Sequence, residues 1–162
     1  MEFAIRKTVV PDLPELDRIY TTARAFMRSH GNPTQWIGYP TNEILMNDIS
    51  SSNSYVVTYG GSVCGTFAFF LTPDPTYSVI EDGNWLNDEP YGTIHRIASD
   101  GTHKGLLKFV TEYCSSVIKN VRIDTHSDNT VMQNALRKLS FEKCGIIHLR
   151  DGSPRIAYQK LF

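Results

Sequence analysis

The stretch "IHRIASDGTHKGLLKFV", residues 94 to 110, sets Gly101 and Gly105 four apart with Lys104 between them. A β-like run ending in Ala98 enters this segment and a helical pattern leaves it. Small residues before a helix expose backbone N–H groups at its positive end, which is a natural seat for an anion such as phosphate. The same glycines also suit a tight strand-to-helix turn, where they only supply a positive φ. Both readings stand from this segment alone. The spacing is neither that of a P-loop, which needs a Lys-Ser/Thr pair, nor that of a dinucleotide glycine fingerprint.

Two histidines have the type and placement to move a proton. His95 alternates with Thr93 and Ile97, opposite Ile94, Arg96 and Ala98, and His126 follows the strand-like "VRIDT". Imidazole titrates close to neutrality, which suits a general base. The alternatives are a structural histidine at 95 and a helix-capping partner at 126, with Asp124 or a water chain as rival bases. Arg96 serves either an acceptor carboxylate or an ion pair with Asp124. His30, His103 and His148 read as surface or loop residues.

"DTHSDN" alternates Asp124, His126 and Asp128 as a calcium loop does, but Asn129 and Ala135 occupy the positions that need Gly and Glu. A strand end followed by a helix cap explains it, and no metal is expected. Cys64, Cys114 and Cys144 are an odd set without a close pair, which points to reduced thiols.

These groups need a scaffold, and the chain has the size and composition for one. Its 162 residues are 41% hydrophobic and 20% charged, enough for one domain spanning 1–162 with a substantial core. A net charge of −1 gives no footprint for nucleic acid or an anionic membrane. No apolar run approaches the ~18 residues that span a bilayer, and "MEFAIRKTVV" is too short and mixed for a secretory signal. A cytoplasmic protein is expected.

The elements follow from periodicity. Residues 3–9 read as a strand. A helix places Leu13, Leu16, Ile19, Tyr20, Ala23, Phe26 and Met27 on one side, with Asp12 as its cap, Glu15 three residues on and Gly31 at its end. Thr41 opens a second, shorter helix. "SYVVTY" and "SVCGTFAFF" flank Gly60-Gly61 as a tight hairpin. Residues 72–90 form a long connection with Asp74, Glu81, Asp82, Asp88 and Glu89 but no Lys or Arg. It either attracts a cationic amine or is a solvated loop. A strand over 91–99, a helix over 104–118, a strand over 121–125, a capped helix and two closing strands complete the chain.

The order β α α β β β α β α β β predicts an α/β (α+β) fold. Its central sheet is mixed and mostly antiparallel, of about seven strands with about four helices on both faces. One strand pair, 91–99 with 121–125, is parallel because a helix crosses between them. Ligands in such sheets sit at the carboxyl ends of parallel strands, where the glycine loop and His126 fall.

This arrangement resembles the GNAT family of acetyl-coenzyme A-dependent N-acetyltransferases over essentially the whole chain. The resemblance rests on the element order, "IHRIAS", the Gly-Lys-Gly loop opening a helix, "RIDTHSDN" and the terminal "SF…CGII…DGSPRIAY". In that family the coenzyme's pyrophosphate rests on N–H groups of the loop after the fourth strand. The pantetheine arm pairs with that strand's backbone where it splays from the fifth. Carried over, the resemblance implies that Ile97 and Ala98 bond pantetheine through main chain. Gly101, Thr102, His103, Lys104, Gly105 and Leu106 then surround the phosphates, and Asn129 reaches pantetheine from the far side. His95 or His126 would deprotonate the amine. Phe26, Trp36 and Trp85 would line the acceptor site, unless the tryptophans plug the ends of the sheet.

Two departures from the family pattern bear on mechanism. The family's loop begins with Arg or Gln and closes with Gly or Ala, whereas the frame here is Thr102-His-Lys-Gly105-Leu-Leu107. Lys104 can supply the missing cation. The slot of the family's thiolate-protonating tyrosine holds Leu136. The resemblance implies acetyl transfer to the primary amine of a small molecule or peptide, by direct attack. The alternatives are an inactive acyl-coenzyme A sensor of the same fold and an interaction domain that binds no coenzyme. Exposed sheet edges leave a homodimer open.

Overall fold

A computed structural model describes residues 1–162. The chain runs β1 (Phe3–Lys7), α1 (Leu13–Ser29), α2 (Asn42–Ser50), β2 (Ser54–Tyr59), β3 (Ser62–Phe70), β4 (Gly92–Ser99), α3 (Leu106–Val117), β5 (Asn120–Thr125), α4 (Thr130–Lys138), β6 (Glu142–His148) and β7 (Pro154–Leu161). Short 3-10 turns at Val10–Asp12 and Pro75–Tyr77 interrupt the connections. The seven strands form one mixed sheet in the order β1-β2-β3-β4-β5-β7-β6. Its one parallel pair is β4 with β5, Gly92 opposite Val121 and Thr93 opposite Arg122, as the crossover helix requires. The expected α/β class and element order are those the chain adopts.

Residues 1–69 with 95–110 make one compact unit, and residues 70–94 with 111–162 another. In the first, Gly60 and Gly61 close the β2–β3 hairpin with φ of 57° and 87°. Two positive φ values are what a two-residue type I′ turn demands. Leu16, Ile19 and Tyr20 of α1 pack with Leu45, Val56 and Ala98, so the end of β4 is fastened by its own side chain. Helix α1 ends as Gly31 predicts: this residue takes φ 78°, and the Asn32 N–H returns to the Met27 carbonyl at 2.9 Å.

The start of α1 departs from expectation. Asp12 itself has helical torsions and makes no cap bond to the first turn. Its carboxylate turns back to accept the Val9 N–H at 2.9 Å and two Arg6 nitrogens at 2.7 and 2.9 Å. A bidentate guanidinium outcompetes a neutral backbone donor for the same carboxylate.

In the second unit β7 lies between β5 and β6, antiparallel to both. Asn129 caps α4, its Oδ1 accepting the Met132 N–H at 3.0 Å. Leu136 on that helix is fully buried. The 72–90 connection is ordered by its own chemistry. Asp74 caps the short turn through the Thr76 N–H, and Glu81 pairs with Ile146 as an added bridge beside β6. Gly83 permits that approach, since a Cβ there would overlap the Cys144 carbonyl oxygen.

Candidate functional site

The glycine loop is held from its first residue onward. At β3 the register slips so that Cys64 has no cross-strand partner, and its carbonyl accepts the Asp100 N–H at 3.0 Å. Arg18 of α1 donates to the neighbouring Val63 carbonyl at 2.9 Å and to the Asp100 carboxylate at 3.0 Å. Asp100 in turn accepts the Thr102 N–H at 3.0 Å and the Thr102 hydroxyl at 2.6 Å. Burial opposes its ionisation, but Thr102 and Arg18 outweigh it and hold the carboxyl below the usual range. The loop therefore begins as a rigid turn braced against α1 and β3.

The rest of the loop is fixed by side chains pointing the other way. The His103 ring stacks on Tyr59 at 3.9 Å and meets Phe3 edge-on at 6.2 Å. Leu106 is buried against Gly65, whose missing side chain makes room for it. Gly105, with φ 88°, turns the chain into α3, where the first helical bond runs from the Phe109 N–H to the Gly105 carbonyl. The N–H groups of Leu106 and Leu107 precede that bond, at the positive end of a twelve-residue helix.

Upstream, β4 contains a backbone outlier. Arg96 has φ 52°, a left-handed conformation uncommon for a residue with a side chain. Its Nε and Nη2 each donate to Asp48 at 2.8 Å, and Nη1 donates to the Tyr39 hydroxyl at 2.8 Å. The Tyr20 hydroxyl donates to the Arg96 carbonyl at 2.7 Å. Burial works against the guanidinium charge, yet Tyr39 and Asp48 more than compensate and raise its pKa. Asp48 is therefore a partner of Arg96, one that neither of the two alternatives open from the sequence named. Asp124 accepts the Tyr77 hydroxyl at 2.6 Å.

No family model and no curated protein matches the chain. Among solved structures, a GNAT-family acetyltransferase from Streptococcus agalactiae superposes with a TM-score of 0.89 at 29% identity, over 99% of this chain and 95% of that one. This chain has the GNAT acetyltransferase fold. A GNAT-family acetyltransferase from Listeria monocytogenes matches at a TM-score of 0.73 and 19% identity, over 100% of this chain and 96% of that one. Arabidopsis thaliana Naa50, in complex with the bisubstrate analogue CoA-Ac-MVNAL, matches at 0.62 and 13% identity over 100% of both chains.

The residues carried over from the GNAT resemblance fall in both units. Ile97, Ala98 and the run from Gly101 to Leu106 lie in the first, with Ile97 half-buried and Ala98 packed into the core. Two of the loop's N–H groups are already engaged, Gly101 with the Ser99 hydroxyl at 3.3 Å and Thr102 with Asp100. Lys104 is exposed. Asn129 is in the second unit, where its amide oxygen caps α4.

The two histidines differ in state. His95 is half-buried on β4 near Asp48, whose carboxyl burial pushes above its ordinary range, with Arg96 and then His95 opposing that rise. His126 accepts the Asp128 N–H at Nδ1 at 3.0 Å, in the turn just ahead of the Asn129 cap, and so carries its neutral-state proton on Nε2. Burial, aided by Arg155 and opposed by Asp128, lowers its pKa below the ordinary histidine value.

The aromatic residues also separate. Phe26 is exposed and stacks on His30 at 3.8 Å. Trp36 packs into the first unit's core, edge-on to Tyr20 at 5.6 Å. Trp85 belongs to the second unit's core: its Nε1 donates to the Tyr77 carbonyl at 2.9 Å and its ring covers the Arg122 guanidinium at 4.0 Å.

Sequence reasoning missed Asp48, Tyr39 and Tyr20 as partners of β4. Asp48 carried a signal, being a charged residue on the same side of a short amphipathic helix as Leu45.

Proposed function

We propose that this chain is a single-domain acetyl-coenzyme A-dependent N-acetyltransferase that acetylates a primary amine, on a small molecule or a peptide, in the cytoplasm. The supporting observation is a braced glycine loop delivering the unbonded first N–H groups of α3, in a chain that matches a GNAT acetyltransferase over nearly its whole length. The phosphates rest on the N–H groups of Leu106 and Leu107, with Lys104 supplying charge. The N–H groups of Gly101 and Thr102 are committed to Ser99 and Asp100, so their part is to shape the loop. Ile97 and Ala98 hold the pantetheine arm by main chain.

His95 is the base. It takes the proton of the acceptor ammonium, directly or through water, and the amine nitrogen then attacks the thioester carbonyl. The new C–N bond forms as the C–S bond breaks, coenzyme A leaves as a thiolate, and the nitrogen's second proton passes to solvent water to give the neutral amide. A thiol's ordinary pKa of about 8.5 lets that thiolate depart without the acid that Leu136 cannot supply. His126 is a poor base, because its one proton-accepting nitrogen is occupied by the Asp128 N–H. No cysteine serves as nucleophile: burial raises the pKa of Cys64, Cys114 and Cys144 alike.

Calorimetric titration with acetyl-coenzyme A, with dephospho-coenzyme A and adenosine as controls, tests the reading. Micromolar binding that requires the pyrophosphate is expected, followed by turnover in an amine panel. Absence of binding up to millimolar concentration removes it.

A further inference from the structure

Arg96 is the one residue of β4 with a left-handed backbone. A strand needs no such residue, and glycine would occupy the position with less strain. The chain instead places an arginine there and surrounds it. Asp48 grips the guanidinium at two points, the Tyr39 hydroxyl takes a third nitrogen, and the Tyr20 hydroxyl holds the carbonyl. The Arg96 and Asp48 side chains are 12% and 9% exposed, so the grip is shielded from water. Three side chains, from α1, α2 and the loop between them, thus converge on a single residue through four hydrogen bonds.

The position of that residue gives the convergence its meaning. Reversing φ at Arg96 redirects the peptide that follows, and the Tyr20 hydroxyl holds the Arg96 carbonyl at 2.7 Å. Two residues further, Ala98 is locked by packing against Leu16, Ile19 and Tyr20. Ile97 therefore lies between two immobilised residues, and its N–H and C=O are held in one direction. We propose that the Tyr20–Arg96–Asp48–Tyr39 network is a positioning device that aims the main chain of Ile97 and Ala98 at the pantetheine arm. This inference rests on the coenzyme reading above.

Replacing Asp48 would strand a buried guanidinium and threatens the fold, so the test uses hydroxyl deletions. Tyr20→Phe and Tyr39→Phe are compared with the parent chain by calorimetry, using acetyl-coenzyme A and 3′,5′-ADP. The second probe keeps phosphates for the loop but has no pantetheine. Each variant is expected to bind acetyl-coenzyme A about tenfold more weakly, the equivalent of one lost hydrogen bond, with 3′,5′-ADP unchanged within twofold. Amide exchange at Ile97 and Ala98 should quicken in both variants. Equal losses for the two probes, or no loss for either, overturn the positioning role while leaving the coenzyme reading intact. A parent chain that binds neither probe overturns both.

Discussion

Gly105→Ala should separate the two meanings of the glycine loop, because the structure assigns its costs unequally. Gly105 has φ 88°, and a Cβ built on it meets no atom within 4 Å. Alanine there suffers backbone strain but no clash. A left-handed residue with a side chain costs roughly 1–2 kcal/mol. For a chain of this length each kcal/mol lowers Tm by about 2–4 °C, so a fall of about 2–8 °C is expected by calorimetry or urea titration. Gly31, with φ 78° and equally open surroundings, is the matched control: Gly31→Ala should cost the same stability at the end of α1. The variants should diverge in binding. A methyl group at the start of α3 keeps a phosphate from the N–H groups of Leu106 and Leu107, and one hydrogen bond to a charged group is worth about 1.5–3 kcal/mol. Gly105→Ala should therefore weaken acetyl-coenzyme A by roughly ten- to a hundredfold, and Gly31→Ala should not. Equal affinities in the two variants would refute the cradle, leaving glycine as a device of the turn alone.

Other consequences can be checked independently. His95→Ala should lower kcat by about 10²–10⁴, the usual range for a general base, while His126→Ala stays within about tenfold of the parent. The His148 pKa is raised by its bonds to Glu81 and the Gly152 carbonyl, so the stability it lends is present below about pH 6.5 and fades as pH rises through the folded value. NMR titration of Glu81→Gln should show that pKa falling back towards the ordinary one. His126 has the opposite sign: its pKa is lowered by burial, so its contribution is lost as pH drops below about 6.5. Cysteine-to-alanine variants that keep the fold should keep turnover, and a variant that folds but is inert would sink direct attack. Gly83→Ala, with its Cβ driven into the Cys144 carbonyl, should destabilise the chain by several kcal/mol in urea denaturation, in the upper range for single substitutions.

The parts legible in the sequence were those where one residue type has one conformational use. Gly60-Gly61 marked a hairpin because few other pairs accept two positive φ values, and Gly31 marked the end of α1 for the same reason. The parallel pairing of β4 and β5 followed from a helix between two strands. What escaped were choices among competing partners. Asp12 had a helix start and an arginine within reach, and periodicity cannot rank them; the bidentate pair won. Arg96 was offered Asp124 by the strand pattern, but the deciding carboxylate came from α2, 48 residues away in sequence. The short bond from the Asp128 N–H to the His126 Nδ1 likewise depends on a ring orientation that periodicity does not carry.

The loop departs from the spelling of the GNAT loop it resembles, and the structure supplies a brace by other means. An arginine at the loop's start would bring charge and a brace together. Here the brace comes from elsewhere: Arg18 reaches from α1 to Asp100 and Val63, and the Cys64 carbonyl receives the Asp100 N–H. With rigidity supplied externally, the loop needs only a glycine that turns the chain and a helix that begins on time, which Gly105 and Leu106 provide. Arg18→Met should then soften the loop, quickening amide exchange from Asp100 to Thr102 and weakening acetyl-coenzyme A. Lys104→Met should weaken binding without changing exchange. If Arg18→Met leaves exchange at the parent rate, the brace is elsewhere, and the loop's own bonds between Asp100 and Thr102 are sufficient to hold it.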